Sequence, residues 1–378
     1  MIFQRSFSHA VPRPRLWRGL RALAQGAGLF LILGSAHAQG PVQIKASSEN
    51  DLQAQFGPHA LKQRHTHASV DVMTLGDGAQ RVYIFTPAQP ALHGKVPMVF
   101  FHHGWQGMNP LNYGALIDHL ARSGQVVIFP VYQDSAQTSP QVVTGNAAQA
   151  DRRALAALAE RGITPDARRV LYFGYSMGAA ISLNLALDPA RYRLPAPRAL
   201  VLAAPGDAYH VAHGAAARSI IGPVENLPPK LPIAILTGAA DTSIGLPTAR
   251  LLDRRLCGTH QSGRLVLMVL PSAVHDGKKV TAGHGSPGAP DSRYNFALTR
   301  HDIPDHIPGR PDFEASASLN QLDFYGYWKV LDAMLDYLAK GGALPDSVFG
   351  NGTPRQRYLG SWPDGTPYPQ ARIEQECR

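Results

Sequence analysis

Cysteine is nearly missing from this sequence: its 378 residues include only two, Cys257 and Cys377. At most one disulfide can form, so a cross-linked framework is not what shapes the fold. Long apolar runs are missing as well. Beyond residue 38 none approaches the ~20 residues that a bilayer-spanning helix requires, so no stable membrane insertion is expected of the body of the chain. Internal repeats are absent. Lys and Arg number 36 against 27 Asp and Glu, yet they form no dense stripe with interleaved aromatics, and no nucleic-acid partner is expected. Metal-site patterns are lacking too. His102 and His103 are adjacent, and adjacent residues at a strand end point in opposite directions, which suits structural roles. His301, Asp302, Asp305 and His306 form the densest group of potential ligands, but their spacing matches no metal motif. Neither a metal nor a cofactor is expected.

What is present begins with a leader. Residues 1–38 carry five arginines and no acidic residue, then the apolar run Ala27 to Leu33, then Ala36-His37-Ala38. A basic head, a short apolar segment and a small-x-small site predict an export signal cut after Ala38, which places the mature protein in the periplasm or outside the cell. Loss of the five arginines takes the formal charge from +9 to +4. In an oxidising compartment Cys257 and Cys377 are expected to form one disulfide that ties the C-terminal tail to the body.

Residues 39–68 read as polar and irregular. The short runs Val70 to Met73 and Val82 to Phe85 alternate and predict antiparallel edge strands, whereas Val96 to Phe101 is nearly all apolar and predicts a buried central strand. Helices and strands then take turns: a helix at 111–122, a strand at 125–129, a helix at 147–161 and a strand at 170–173. A helix after Ser176, strands at 199–202 and 233–236, a helix at 247–256 and a strand at 265–269 follow. A last helix at 321–340 shows Phe324, Trp328, Leu331, Leu335 and Leu338 at three- and four-residue steps. This rhythm predicts an α/β class domain over 69–340, with a mostly parallel central sheet and helices on both faces. Residues 276–318 fall outside it as a long loop or cap, and 341–378 form a Gly/Pro-rich C-terminal tail.

Chemistry concentrates at Gly174-Tyr175-Ser176-Met177-Gly178, a G-x-S-x-G segment lying between a predicted strand and a predicted helix. Such a serine occupies a sharp, strained turn, and Gly174 and Gly178 are small because side chains there would collide with neighbouring strand and helix. A serine hydroxyl is a poor nucleophile at neutral pH, so it needs a base, and the base needs an orienting acid. Asp241 follows one apolar strand and His275 the next, in a loop. Ligands of open α/β sheets bind at the carboxyl ends of strands, where all three residues are expected. The amide of Met177, opening the helix, is expected to donate to the oxyanion.

These segments, together with His103-Gly104-Trp105-Gln106-Gly107, resemble the α/β-hydrolase superfamily over roughly 68–276 and 321–340. Within it the chain is similar to the dienelactone-hydrolase-like and the polyester- and lipid-esterase-like branches. The resemblance implies an α/β-hydrolase fold, a serine esterase with the catalytic set Ser176, Asp241 and His275, and the Trp105 amide as second oxyanion donor. Some relatives place the acid one strand earlier, which keeps Asp207 as an alternative. The chain departs from many relatives in Gly178-Ala179-Ala180, where a longer glycine run is common, and in the long segment after His275. The expected partner is a small or polymeric ester. Amide hydrolysis, acyl transfer and a non-catalytic binding role on the same scaffold stay open.

Overall fold

The computed structural model describes residues 42–45, 64–206, 219–296 and 317–375. They belong to the unit Ala38–Arg378; the separate unit Met1–His37 falls outside the described residues, as does the predicted leader.

Ten strands form one sheet: β1 (Val42–Lys45), β2 (Ser69–Leu75), β3 (Val82–Ala88), β4 (Gly94–His102), β5 (Val126–Pro130), β6 (Ile163–Tyr175), β7 (Ala199–Ala203), β8 (Ile233–Gly238), β9 (Leu265–Leu270) and β12 (Arg372–Glu374). Their order is β1-β2-β3-β5-β4-β6-β7-β8-β9-β12. The run from β5 through β4 to β9 is parallel. β1, β2 and β3 at one edge and β12 at the other are antiparallel. The first two expected strands appear as the antiparallel β2 and β3, but they stand one and two places in from the edge, which β1 occupies. Residues 39–68 contain more order than their polarity suggested, because β1 takes up the open edge of β2. A two-stranded ribbon, β10 (Ala273–His275) with β11 (Lys278–Val280), stands apart from the main sheet.

Among the described residues five longer helices cover the sheet: α1 (Gly114–Arg122), α2 (Val143–Ala159), α3 (Met177–Leu187), α4 (Gly245–Cys257) and α5 (Lys329–Lys340). A π-helical turn, Asp323–Trp328, runs directly into α5. Alternation along the strands separates two cores. Val99, Phe101, Phe129, Leu171 and Phe173 face α1 and α5 with Leu116, Trp328 and Leu331. Met98, Phe100, Ile128, Val170 and Tyr172 face α2, α3 and α4 with Ala154, Ile181 and Leu252. Both faces of the central strands are therefore dry, which is why their sequences are unbroken apolar runs.

The C-terminal tail is not loose. Ala371 is fully buried, β12 pairs with β9, and Arg250 on α4 grips Glu374 at 2.8 and 3.0 Å. No cysteine among the described residues is free, and Cys257 closes α4; Cys377, its expected partner, lies outside the described residues.

Candidate active site

β6 delivers Ser176 to the carboxyl edge of the sheet, and α3 starts one residue later. Between them Ser176 has φ 51° and ψ −119°, a left-handed conformation that a residue with a Cβ adopts only under constraint. The constraint is visible on both sides. A Cβ on Gly178 would lie 1.9 Å from the His102 carbonyl oxygen, and one on Gly174 would lie 2.4 Å from the Gly178 carbonyl oxygen. The Ser176 amide donates to Ala203 O at 3.0 Å, and Gly206 N–H donates back to Ser176 O at 3.0 Å. The turn is held by β7 as firmly as by its own strand.

Ser176 Oγ lies 2.8 Å from Nε2 of a histidine, and that histidine is His284. Its Nδ1 lies 2.7 Å from Asp241 Oδ2. The Asp241 side chain is 1% exposed, and its second oxygen, Oδ1, has no hydrogen-bond partner among the described residues. Its acceptor strength is therefore directed at the imidazole. With the Nδ1 proton donated to Asp241, the Nε2 lone pair is left to accept from the serine hydroxyl.

The expectation for His275 is corrected by this geometry. Val274-His275-Asp276-Gly277-Lys278 folds as a tight hairpin: Asp276 and Gly277 have φ of 46° and 72°, and His275 pairs with Lys278 across it. Two consecutive positive φ values are the mark of a hairpin turn for which Asp-Gly is a preferred sequence. The chain therefore turns away after β9, and His275 joins the tail, with Nε2 2.7 Å from Asp364 Oδ2 and its ring stacked on Trp362 at 5.3 Å. It returns at Ala282, whose amide donates to Ser272 Oγ and whose carbonyl accepts from the Ala240 amide, both at 2.9 Å. His284 comes two residues later. The Asp-Gly dipeptide was the sequence signal for this detour.

Tyr175, the residue before the serine, completes the anchoring. It is 1% exposed, its hydroxyl donates to the His284 carbonyl at 3.0 Å, and the two rings lie 5.5 Å apart. The loop after β4 sits beside the nucleophile: a Cβ on Gly104 would lie 3.4 Å from Ser176 Cβ. Gly104 N–H donates to Tyr113 Oη at 3.2 Å, and Gln106 N–H donates to Gln133 Oε1 at 2.7 Å, so the amides on either side of Trp105 brace the loop itself. Trp105 is half-buried against the α2–α4 core, and Met177 is 4% exposed at the first position of α3.

His102 and His103 diverge as expected. His102 turns into the α2–α4 core, with Nδ1 2.7 Å from Ser182 Oγ and Nε2 3.3 Å from the buried Asp151. His103 stacks on Tyr132 at 4.1 Å and lies against Gly104 O and Val131 O, and burial pulls its pKa down to about 4. Asp207, the alternative acid, and the group from His301 to His306 lie outside the described residues.

The model of the chlorophyllase family matches residues 56–239, just under half of the chain. That span includes β4, the elbow and β8, and stops two residues short of Asp241. No curated protein matches the sequence. Among solved structures, an esterase of the planctomycete Thermogutta terrifontis is similar at 17% identity over 70% of this chain and 90% of its own, with a TM-score of 0.45. The same enzyme phosphorylated by paraoxon is similar at 18% identity over 55% and 85%, with a TM-score of 0.41. A Klebsiella pneumoniae structure described as a dienelactone hydrolase is similar at 17% identity over 62% and 88%, with a TM-score of 0.39. Setting the two outer strands β1 and β12 aside, the sheet order with its antiparallel second strand and the strained serine between β6 and α3 give this chain an α/β-hydrolase fold, and its segment 56–239 is similar to the chlorophyllase family.

Proposed function

We propose that the protein hydrolyses carboxylic esters with Ser176 as nucleophile, His284 as general base and then acid, and Asp241 as the group that orients and stabilises the imidazolium. The observation that carries this reading is the unbroken relay from Ser176 Oγ to His284 Nε2 at 2.8 Å and from His284 Nδ1 to Asp241 Oδ2 at 2.7 Å. As Ser176 Oγ bonds to the carbonyl carbon, its proton passes to Nε2 and the carbonyl electrons move onto oxygen. That oxyanion is met by the Met177 amide at the start of α3 and by the Trp105 amide in the loop beside Ser176. Collapse expels the alkoxide, which takes the proton from His284. Water then gives a proton to His284, attacks the acyl-enzyme, and releases the acid with Ser176 restored.

The two donors are expected to carry a large share of the acceleration, since loss of one such donor typically costs about 3 to 4 kcal/mol. The match to the chlorophyllase model makes bulky chlorophyll-type esters part of the substrate range to be tried. The leader at 1–38 supports export, and export supports a disulfide between Cys257 and Cys377.

A fluorophosphonate probe on the mature protein, with mapping of the modified residue, tests the assignment. Adduct formation at Ser176, with turnover of p-nitrophenyl esters of two to sixteen carbons or of chlorophyll, is the expected result. Turnover of amides above esters would turn the reading toward amidase chemistry. Absence of both adduct and turnover would leave a binding protein on a hydrolase scaffold.

A further inference from the structure

The end of the sheet opposite Ser176 gathers positive charge. Three neighbouring parallel strands enter the sheet next to a cation, since Arg198 precedes Ala199, Lys230 comes three residues before Ile233 and Arg264 precedes Leu265, and in the adjoining β6 Arg169 lies two residues before Leu171, where pairing with β7 begins. The pairing aligns these positions, because Arg198 N–H donates to Val170 O and Ile233 N–H to Arg264 O, both at 2.8 Å. Together with Arg168 and Lys340 they line one cleft of about 700 Å³.

Its charge is poorly neutralised. Among the described residues of the lining Asp166 is the one acidic group, and it is engaged by Arg169 at 2.8 Å and Arg168 at 3.6 Å. Lys340 is paired with Asp336 outside the lining at 3.3 Å. The Arg264 guanidinium donates to a carbonyl, Lys230 O, at 3.0 Å, which fixes its place without removing its charge. The Arg198 guanidinium and the Lys230 ammonium have no hydrogen-bond or ion-pair partner among the described residues. A concave wall of one sign focuses its field, and guanidinium groups match phosphate oxygens in pairs. Strands about 4.8 Å apart spread these four cations over about 14 Å, wider than one phosphate group.

From this we propose that the cleft at the amino ends of β7 to β9 and the adjoining middle of β6 is a binding site for a ligand bearing two or more phosphate groups. The site is separate from the serine and stands whether or not the esterase assignment holds. The sequence hid it, because the cations lie about thirty residues apart along the chain and converge only when the strands pair. The same chemistry occurs in a free oligophosphate and in a surface of phosphorylated lipid headgroups.

Calorimetric titration of the mature protein with sodium tripolyphosphate, and co-sedimentation with vesicles containing a phosphorylated anionic lipid, distinguish the two sources. Arg198→Glu/Lys230→Glu removes charge without breaking a contact, and Lys278→Glu/Lys279→Glu on the exposed ribbon makes the same charge change elsewhere. We expect saturable binding in at least one arm at about 50 mM salt, weakened about tenfold or more by the first pair and little by the second, with ester turnover unchanged by the first. Tripolyphosphate alone would identify a soluble ligand, and vesicles alone a headgroup surface. Binding in neither arm, or equal weakening by both variants, would overturn the proposal.

Discussion

His275 and His284 stand nine residues apart on one excursion of the chain, and each has a carboxylate oxygen 2.7 Å from a ring nitrogen. Everything around the two pairs differs. Asp241 is 1% exposed, while Asp364 is 47% exposed. The second nitrogen of His284 reaches a strained serine, whereas the His275 ring stacks on Trp362. A His–Asp pair is thus not in itself catalytic geometry. What separates the two is a buried acid that water cannot screen and a third group on the far side of the ring.

The comparison is broken most sharply by removing each imidazole. His284→Ala should lower kcat by about 10⁴-fold or more, the scale on which loss of a triad member is felt. His275→Ala should change kcat by less than about threefold, since it loses a surface pair and a stacking contact with Trp362, neither of which touches Ser176. Steady-state hydrolysis of a short p-nitrophenyl ester decides it. Equal losses would mean that His275 reaches the serine in another arrangement of the ribbon. The acids follow the same logic: Asp241→Asn is expected to cost about 10³- to 10⁴-fold in kcat by allowing the wrong imidazole tautomer, and Asp364→Asn to leave it unchanged.

Most of this molecule was legible before the structure, and the part that was not has a local cause. β4 to β9 are buried on both faces, so their apolar runs stood out, and Gly174 to Gly178 sat between strand and helix because backbone crowding at His102 O admits no side chain there. Asp241, one short turn past β8, was placed at the carboxyl edge of the sheet by strand order, with Asp207 left open as the alternative acid. His284 did not, because the sheet ends before it and its position depends on the ribbon β10–β11, a structure with no apolar period. Only the two positive φ values at Asp276-Gly277 reroute the chain, and an Asp-Gly between Val274-His275 and Lys278-Lys279 is the one trace they leave in the sequence. β1 was hidden for a related reason: its order comes from the edge of β2 and not from its own composition.

A finer difference lies in how the two histidines are anchored through their backbones. His284 has Tyr175 beneath it, whose hydroxyl donates to its carbonyl at 3.0 Å. Tyr175→Phe keeps the ring and removes that bond. We expect kcat to fall about tenfold with KM little changed, because a base displaced by a fraction of an ångström loses alignment with Ser176 and not affinity for substrate. A merely structural tyrosine would instead lower the urea midpoint and leave kcat intact, so both quantities need to be measured on one preparation.

The smallest effect is also the cleanest separation. His275 titrates above the ordinary histidine value because Asp364 accepts its hydrogen bond, and Asp364 is drawn down to about 2 by the same contact. A histidine with a raised folded pKa contributes stability below its unfolded value near 6.5 and loses that contribution as pH climbs through the folded value. Asp364 contributes above its unfolded value near 3.9 and loses its share as pH falls toward 2. The pair is therefore fully favourable between about pH 4 and 6.5, and exposure to water and salt keeps it weak. Proton NMR of the His275 ring should show its midpoint return toward 6.5 in Asp364→Asn and, in the native chain, at high salt. The pH profile of kcat/KM should stay where it was in both cases. If that profile moved with Asp364→Asn, the ribbon would be coupled to the serine after all, and the contrast between the two histidines would be one of degree.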